Sequence, residues 1–345
     1  MVVSVGIIGA TGVVGQRYIQ LIEKHPLFEI KVVTASDRSV GKSYRDAVNW
    51  GLDTPMPKDI SKFEVKPTDA KSIPEEVEIL FSALPSQIAS KAEPELCKEG
   101  YIIASNSSNE RMSEDVPLII PEINPDHLEL IEIQQENRGW DGALIKNPNC
   151  SVITLAPTLK ALDIFGLERV HVATLQAVSG AGYEGVKSMQ ILDNVIPFIQ
   201  GEEEKLETEP QKILGGLEGD KILMHNMEVS ASCNRVGVID GHLENVWAET
   251  EELATVEKVK NAFKALKGLE LHSSPEVFIE VFEEEDRPQP RLDRNLGEGM
   301  SISVGGIKET SGGGVQYNCL AHNTIRGAAG ASILNGELLM GSKWF

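Results

Sequence analysis

Short apolar runs alternate with longer amphipathic stretches through the first part of the chain. Val3–Ile8 is an apolar run of strand length, Val13–Lys24 carries apolar positions at helical spacing, and Phe28–Ala35 is a second apolar run. Glu76–Ala83 and Tyr101–Ser105 read as further strands, flanking a helix over Ile88–Glu99. Strands separated by helix-length crossovers and bounded by glycine or proline predict right-handed parallel β-α-β winding. The pattern changes near residue 150. A helix from Ser151 to Phe165 is followed by period-two runs at Arg169–Ala177, Val236–Ile239, Phe278–Phe282, Ser301–Ile307 and Gly314–Leu320. That block predicts a mostly antiparallel sheet with helices on one face. Thr324–Met340 reads as a small-residue helix, able to pack on either block and assigned, as residues ~324–345, to the first.

Composition narrows the classes. A chain of 345 residues is expected to hold two domains, and 41% hydrophobic with 24% charged residues is ordinary globular composition. The 32 Lys and Arg against 52 Asp and Glu give a net charge of −20. A field of that sign repels nucleic acid and anionic lipid, so neither is an expected partner, and any anionic ligand needs a few local cations. No apolar run reaches the roughly 18 residues that span a bilayer. The apolar start lacks the basic n-region of a signal peptide. Cys97, Cys150, Cys233 and Cys319 form no CxxC pair and read as free thiols in a reducing cytoplasm.

Gly9, Gly12 and Gly15 form GATGVVG after a strand and at the opening of a helix. The first glycine allows a tight turn, the second lets backbone approach a pyrophosphate, and the third lets helix and strand pack closely. The amides and dipole at the helix start then bind phosphate. The second strand runs into Ser36-Asp37-Arg38-Ser39, about 20 residues after Gly15. Asp37 suits the ribose hydroxyls of NAD, whereas Arg38 with Ser36 and Ser39 suits the 2′-phosphate of NADP, the assignment made here. A surface turn in which Asp37 pairs Arg38 is the other reading.

Cys150 stands in Lys146-Asn147-Pro148-Asn149-Cys150-Ser151, with Asn149 as N-cap and Cys150 in the first helical turn. That position favours a thiolate and offers amides to an oxyanion. Beside a nicotinamide site, such a cysteine suggests thiolate addition to an aldehyde, loss of hydride and a thioester. A buried structural cysteine fits the spacing as well.

GATGVVG, SNSS at 105–108, DVPLIIPEIN at Asp115–Asn124, NPNCSV, LQAVSGAGYEG and an Arg235…His242 pair together resemble aspartate-β-semialdehyde dehydrogenases, over nearly the whole chain and in details found in archaea and fungi. The resemblance implies an α/β protein: a Rossmann-type NADP-binding domain over residues 1–149 and an α+β catalytic and dimerisation domain over 150–323. It implies Cys150 as nucleophile, His242 as general base, and Gln176 orienting the intermediate. Arg235 would clamp the substrate α-carboxylate, and Glu202 and Lys205 would meet its amine and phosphate, although Glu203 and Glu204 crowd that assignment. Arg111 with Asn106 would hold phosphate. Gly9, Thr11, Gly12, Val13 and Val14 would surround the pyrophosphate, and Ser36, Arg38 and Ser39 the 2′-phosphate. Ser82 and Leu84 would lie beside the cofactor, and Ser179, Gly180, Ala181, Gly182 and Asn323 around the nicotinamide. No metal is implied.

The implied reaction interconverts L-aspartate 4-semialdehyde, phosphate and NADP with L-aspartyl 4-phosphate and NADPH, a step toward lysine, threonine, methionine and isoleucine. The implied assembly is a homodimer or homotetramer built on the second domain. Three rivals share the glycine loop: a reductase of N-acetylglutamyl phosphate, a malonyl-CoA reductase, and a non-catalytic NADP-binding regulator. Arg235, Glu202 and Lys205 suit a free amino acid better than an acylated or CoA-bearing substrate.

Overall fold

The computed structural model describes residues 2–344. The first layer is a parallel sheet of β1 (Val3–Ile8), β2 (Phe28–Thr34), β3 (Ile79–Ser82), β4 (Ile102–Ser105) and β5 (Ala143–Lys146), in the order β2-β1-β3-β4-β5. Its crossovers include α1 (Val13–Ile22) and α2 (Ser86–Lys98). The strands are buried on both faces, so they read as unbroken apolar runs. The chain turns from β2 back past β1 to β3, which puts the topological switch point between β1 and β3 at their carboxyl ends. The GATGVVG turn lies there. Gly9 has φ +81°, and a Cβ on it would sit 2.7 Å from Ala83 O. A Cβ on Gly15 would sit 2.4 Å from Gly9 O, so both glycines are demanded by close backbone approach.

After α3 (Val152–Leu162) the chain forms β6 (Leu167–Gln176), α4 (Glu202–Ile213), β7 (Glu228–Arg235), β8 (His242–Thr250), α5 (Val256–Ala265), β9 (Ile279–Val281), β10 (Ile302–Glu309) and β11 (Val315–Ala321). These strands make one sheet in the order β9-β10-β11-β8-β6-β7. The three inner pairings are antiparallel, and each edge adds a parallel one. The sheet is therefore mixed, more so than the alternation alone predicts. Its core face packs on the apolar helix α3 through Val152, Leu155, Ala156 and Leu159.

Besides β5 and the short hairpin Gly216–Glu218 with Lys221–Leu223, two strands of the second sheet escaped the hydrophobic pattern. In β8 the core-facing series is His242, Glu244, Val246 and Ala248, half of it polar, and in β7 it is Val229, Ala231, Cys233 and Arg235. Conversely, Val236–Ile239 is apolar but not a strand. It follows β7 as an irregular segment bonded to residues 176–179, with Ile239 68% exposed.

From β11 the chain passes through a π-helical turn, Ile325–Ala329, into α6 (Gly330–Met340). Helix α6 is buried nearly all round and packs on the first sheet: Ser332 Oγ donates to Ala104 O, and Gly336 lies against the rings of Phe81 and Phe28. The turn thereby brings Thr324, Gly327 and Ala328 to the cleft described below. Among the described residues no helix is long and apolar enough to cross a membrane.

Candidate active site

A cleft of about 590 Å³ runs along the carboxyl ends of β1, β3 and β4 to the edge of the second sheet. Its lining includes Gly12, Val13, Val14 and Leu84 of the first sheet's loops, Ser179, Gly180, Ala181, Gly182 and Asn323, and Asn106, Arg111, Cys150, Glu202, Lys205 and Arg235. Gly12 caps α1 with no side-chain bond, and the first turn holds no acidic residue. A Cβ on Gly12 would meet only Gly9 O at 3.7 Å, so its surroundings are open toward the cleft. These features fit a dinucleotide pyrophosphate. Thr11 is part of the same turn, its carbonyl accepting from Gln16. Ser36, Asp37 and Arg38 are exposed just past β2 in a turn closed by Ser39 N donating to Ser36 O, with Ser39 itself buried. Ser82 is placed differently from the expectation. Its side chain is fully buried and its hydroxyl donates to Glu93 Oε1 at 2.7 Å, away from the cleft.

The regular part of α3 begins at Val152, but its first i→i−4 bond runs from Ile153 N to Asn149 O at 2.9 Å, so Cys150 directly follows the cap, in the first turn as expected. Asn149 still caps the segment: its Oδ1 accepts from Ser151 N at 2.9 Å and Val152 N at 3.4 Å. The Cys150 Sγ lies 3.2 Å from His242 Nε2. The surroundings of the thiol outweigh the helix start. Burial first, then the negative charge of Glu202, push the thiol up to about 12, against the pull of Lys205, Arg111 and Arg235.

His242 is fully buried at the start of β8, and burial, reinforced by the positive charge of Arg235, holds it near 3. Its Nδ1 accepts from Ala177 N at 3.1 Å. A ring nitrogen that accepts from an amide carries no proton, so the neutral ring keeps its proton on Nε2, facing sulfur. A ring so disposed is a hydrogen-bond donor at that position, whereas the base expected from the sequence would need a free Nε2 lone pair.

Arg235 is 6% exposed at the end of β7. Its Nη1 donates to Ala177 O at 2.6 Å, and among the described residues no carboxylate is bonded to it. Gly180 makes room for it, since a Cβ there would sit 2.9 Å from Arg235 Nη1. Glu202 opens α4. Its carboxylate accepts from Asn149 Nδ2 at 2.9 Å, Lys205 Nζ at 2.7 Å and Gln176 Nε2 at 3.3 Å. Burial opposes its charge, but Lys205 and Asn149 together hold it below the usual carboxylate range. The crowding by neighbouring glutamates is resolved by the helix: Glu203 accepts from Cys233 N on β7, and Glu204 is exposed. Gln176 thus reaches the cleft through Glu202. Asn323 ties two loops together, donating to Ser179 Oγ and accepting from Gly241 N, each at 2.8 Å.

Glu209 is a functional-site residue that the sequence reading missed. It accepts from Arg111 Nη1 at 2.9 Å and from Asn149 N at 2.7 Å, so it holds both the Arg111 loop and the cysteine loop. Its spacing of seven from Glu202, two helical turns on the same face, was the available signal. Arg111 is consequently paired already, with Nη2 on Asn106 O at 2.8 Å.

A dinucleotide cradle at a switch point that opens onto a cysteine–histidine pair is the layout of a dehydrogenase. Residues 4–131 match the model "Semialdehyde dehydrogenase, NAD binding domain" and residues 155–326 match "Semialdehyde dehydrogenase, dimerisation domain". The chain is 54% identical to the aspartate-semialdehyde dehydrogenase of Archaeoglobus fulgidus, covering 99% of this chain and 98% of that one. It is 51% identical to that of Methanothermobacter thermautotrophicus, over 98% and 99%. The crystal structure of the Candida albicans enzyme with NADP superposes with a TM-score of 0.90 at 39% identity, covering 99% of both chains. The chain belongs to the aspartate-semialdehyde dehydrogenase family.

Proposed function

We propose that this protein is an NADP-linked oxidoreductase that interconverts L-aspartate 4-semialdehyde and phosphate with L-aspartyl 4-phosphate through a Cys150 thioester. The observation that carries the reading is the Cys150 Sγ at 3.2 Å from His242 Nε2, with Arg235 and Glu202 on the same cleft. Arg235 offers a planar fork to an α-carboxylate, and Glu202 offers a carboxylate to the α-ammonium. An ammonium on Glu202 also offsets the charge that most opposes thiolate formation, so substrate favours its own nucleophile. The residues flanking Gly12 would hold the pyrophosphate, and Arg38 with Ser36 the 2′-phosphate. When bound, the nicotinamide exchanges hydride with the substrate carbon.

The ionised sulfur adds to the aldehyde carbon, and the resulting oxyanion accepts a hydrogen bond from Nε2–H of His242. Loss of hydride from that oxyanion leaves the thioester. A phosphate oxygen then attacks the acyl carbon and expels sulfur as thiolate, its proton passing to solvent. No step requires His242 to become doubly protonated, which agrees with its low basicity. Lys205 and Arg111 would receive the phosphate, a reading supported by their lining the cleft with Cys150, although each already bonds a glutamate.

The test is phosphate-dependent reduction of NADP by L-aspartate 4-semialdehyde, comparing wild type with Cys150→Ser. Activity that needs phosphate and is lost in the variant is expected. A wild type that binds NADPH but stays silent would sink the substrate assignment. We place the protein in a reducing cytoplasm, supported by four free thiols, and assign it a homodimer or homotetramer, supported by exposed Met189, Leu192, Val195 and Phe198 beside the cleft. Light scattering of the purified chain measures the assembly.

A further inference from the structure

Glu93 and Lys146 form an ion pair with no exposure at all, Lys146 Nζ donating to Glu93 Oε2 at 2.6 Å. The pair does not stand alone. Glu93 Oε1 also accepts from Ser82 Oγ at 2.7 Å and Ser105 Oγ at 2.6 Å. Lys146 Nζ also donates to Ser107 Oγ at 2.7 Å and Ser105 Oγ at 3.0 Å. Ser82, Ser105 and Lys146 are the last residues of β3, β4 and β5, so one carboxylate from α2 gathers the carboxyl ends of three adjacent strands.

Two loops leave this hub toward the cleft. Ser105 leads into Asn106–Arg111, and Lys146 leads into Asn147-Pro148-Asn149-Cys150. They are cross-braced just above it, where Asn147 Nδ2 donates to Asn106 Oδ1 at 2.9 Å. A buried ion pair is weak ground for stability, because desolvation consumes much of its attraction. What such a pair provides is fixed geometry, and here the geometry it fixes is the spacing of the two loops.

We propose that Glu93 and Lys146 are positioning residues that set the separation between the Asn106–Arg111 loop and the nucleophile Cys150. They touch neither substrate nor cofactor. Since the first loop is read as the phosphate side of the cleft, the kinetic part of this inference rests on the proposed function, whereas the placement of Cys150 does not.

Single substitutions leave an unpaired buried charge, so the informative variant is Glu93→Gln with Lys146→Met, which removes both charges and keeps an acceptor for the serines. Two readouts are taken at matched thermal midpoints. The KM for phosphate is expected to rise about tenfold while that for the aldehyde stays within about twofold. The alkylation rate of Cys150 by iodoacetamide, without substrate or cofactor, is expected to rise about fivefold or more, because a loosened loop exposes a thiol that burial now suppresses. Ser107→Ala, which deletes one spoke and keeps both charges, serves if the double variant does not fold. It should shift the same readouts in the same direction by less. An alkylation rate within about twofold of wild type in the folded variant overturns the proposal, as does a parallel rise in both KM values, the mark of general loosening. If wild type shows no phosphate-dependent reaction, the functional reading falls, and the alkylation ratio alone decides the positioning role.

Discussion

Gly327 packs directly against Cys150, the proposed nucleophile. A Cβ built on it would lie 2.9 Å from Cys150 Cβ, closer than two carbons can stand, and Cys150 is held from the other side by His242. In Gly327→Ala the sulfur must move, and a displacement near 1 Å costs about 10²-fold in rate. The expected outcome is a kcat about 10²-fold lower with NADPH affinity unchanged in a fluorescence titration. The same small region sets a pH signature. Burial and Glu202 keep the thiol up to about 12, and His242 is held near 3. Alkylation of Cys150 in the free protein should therefore rise about tenfold per pH unit from pH 6 to 10. A plateau between pH 7 and 8 would contradict the buried-thiol geometry.

At the scale of elements, β8 and α4 show how an element can serve the site at the expense of its own signature. The second core-facing residue of β8 is Glu244, fully buried beneath the start of α3, with Oε1 unpartnered. Burial pushes its carboxyl well above the usual range. An acid with a raised folded pKa binds its proton more tightly folded than unfolded, so it stabilises at low pH. That contribution is lost as pH rises from about 4.5 toward the folded value. Glu244→Gln keeps the shape and abolishes the proton, so urea unfolding should find it as stable as wild type near pH 4 and more stable at pH 8. In α4, Glu202, Lys205, Glu209 and Lys212 lie at helical spacing on the buried face, and Lys212 Nζ donates to the carbonyls of Arg111, Ser113 and Val116. This glutamate-rich helix is the element that ties the cysteine loop to the Arg111 loop.

At the scale of the whole molecule, Arg326 ties the loop after β4 to the second sheet. This fully buried residue of the π-helical turn bonds Glu122 with both terminal nitrogens, at 2.7 and 2.8 Å, and lies over the Phe278 ring beside β9. Removing one member of a buried pair strands the other charge. Arg326→Met is expected to cost about 3–5 kcal/mol in urea denaturation, and adding Glu122→Gln should recover most of it. If the single and double variants unfold alike, the pair does not hold that loop to the second sheet.

The sequence by itself determined the glycine turn and β1 to β4 of the first sheet, because each rests on a local pattern; β5, four residues ending in the buried Lys146, was too short to show, and the role of Cys150 came with the family resemblance. Buried parallel strands must be apolar throughout, and the GATGVVG spacing is fixed by backbone approach within a few residues. Arg235 and His242 were legible only through a family resemblance, since the strands that carry them spend their core-facing positions on polar side chains. Only the tertiary structure decided that Glu202 and not its neighbours faces the cleft, that Glu209 braces it, and that Ser82 turns away into a buried network. It also decided the protonation of the cysteine–histidine pair. Charge state depends on desolvation and on groups brought together from distant segments, and neither is written into the spacing of residues along one chain.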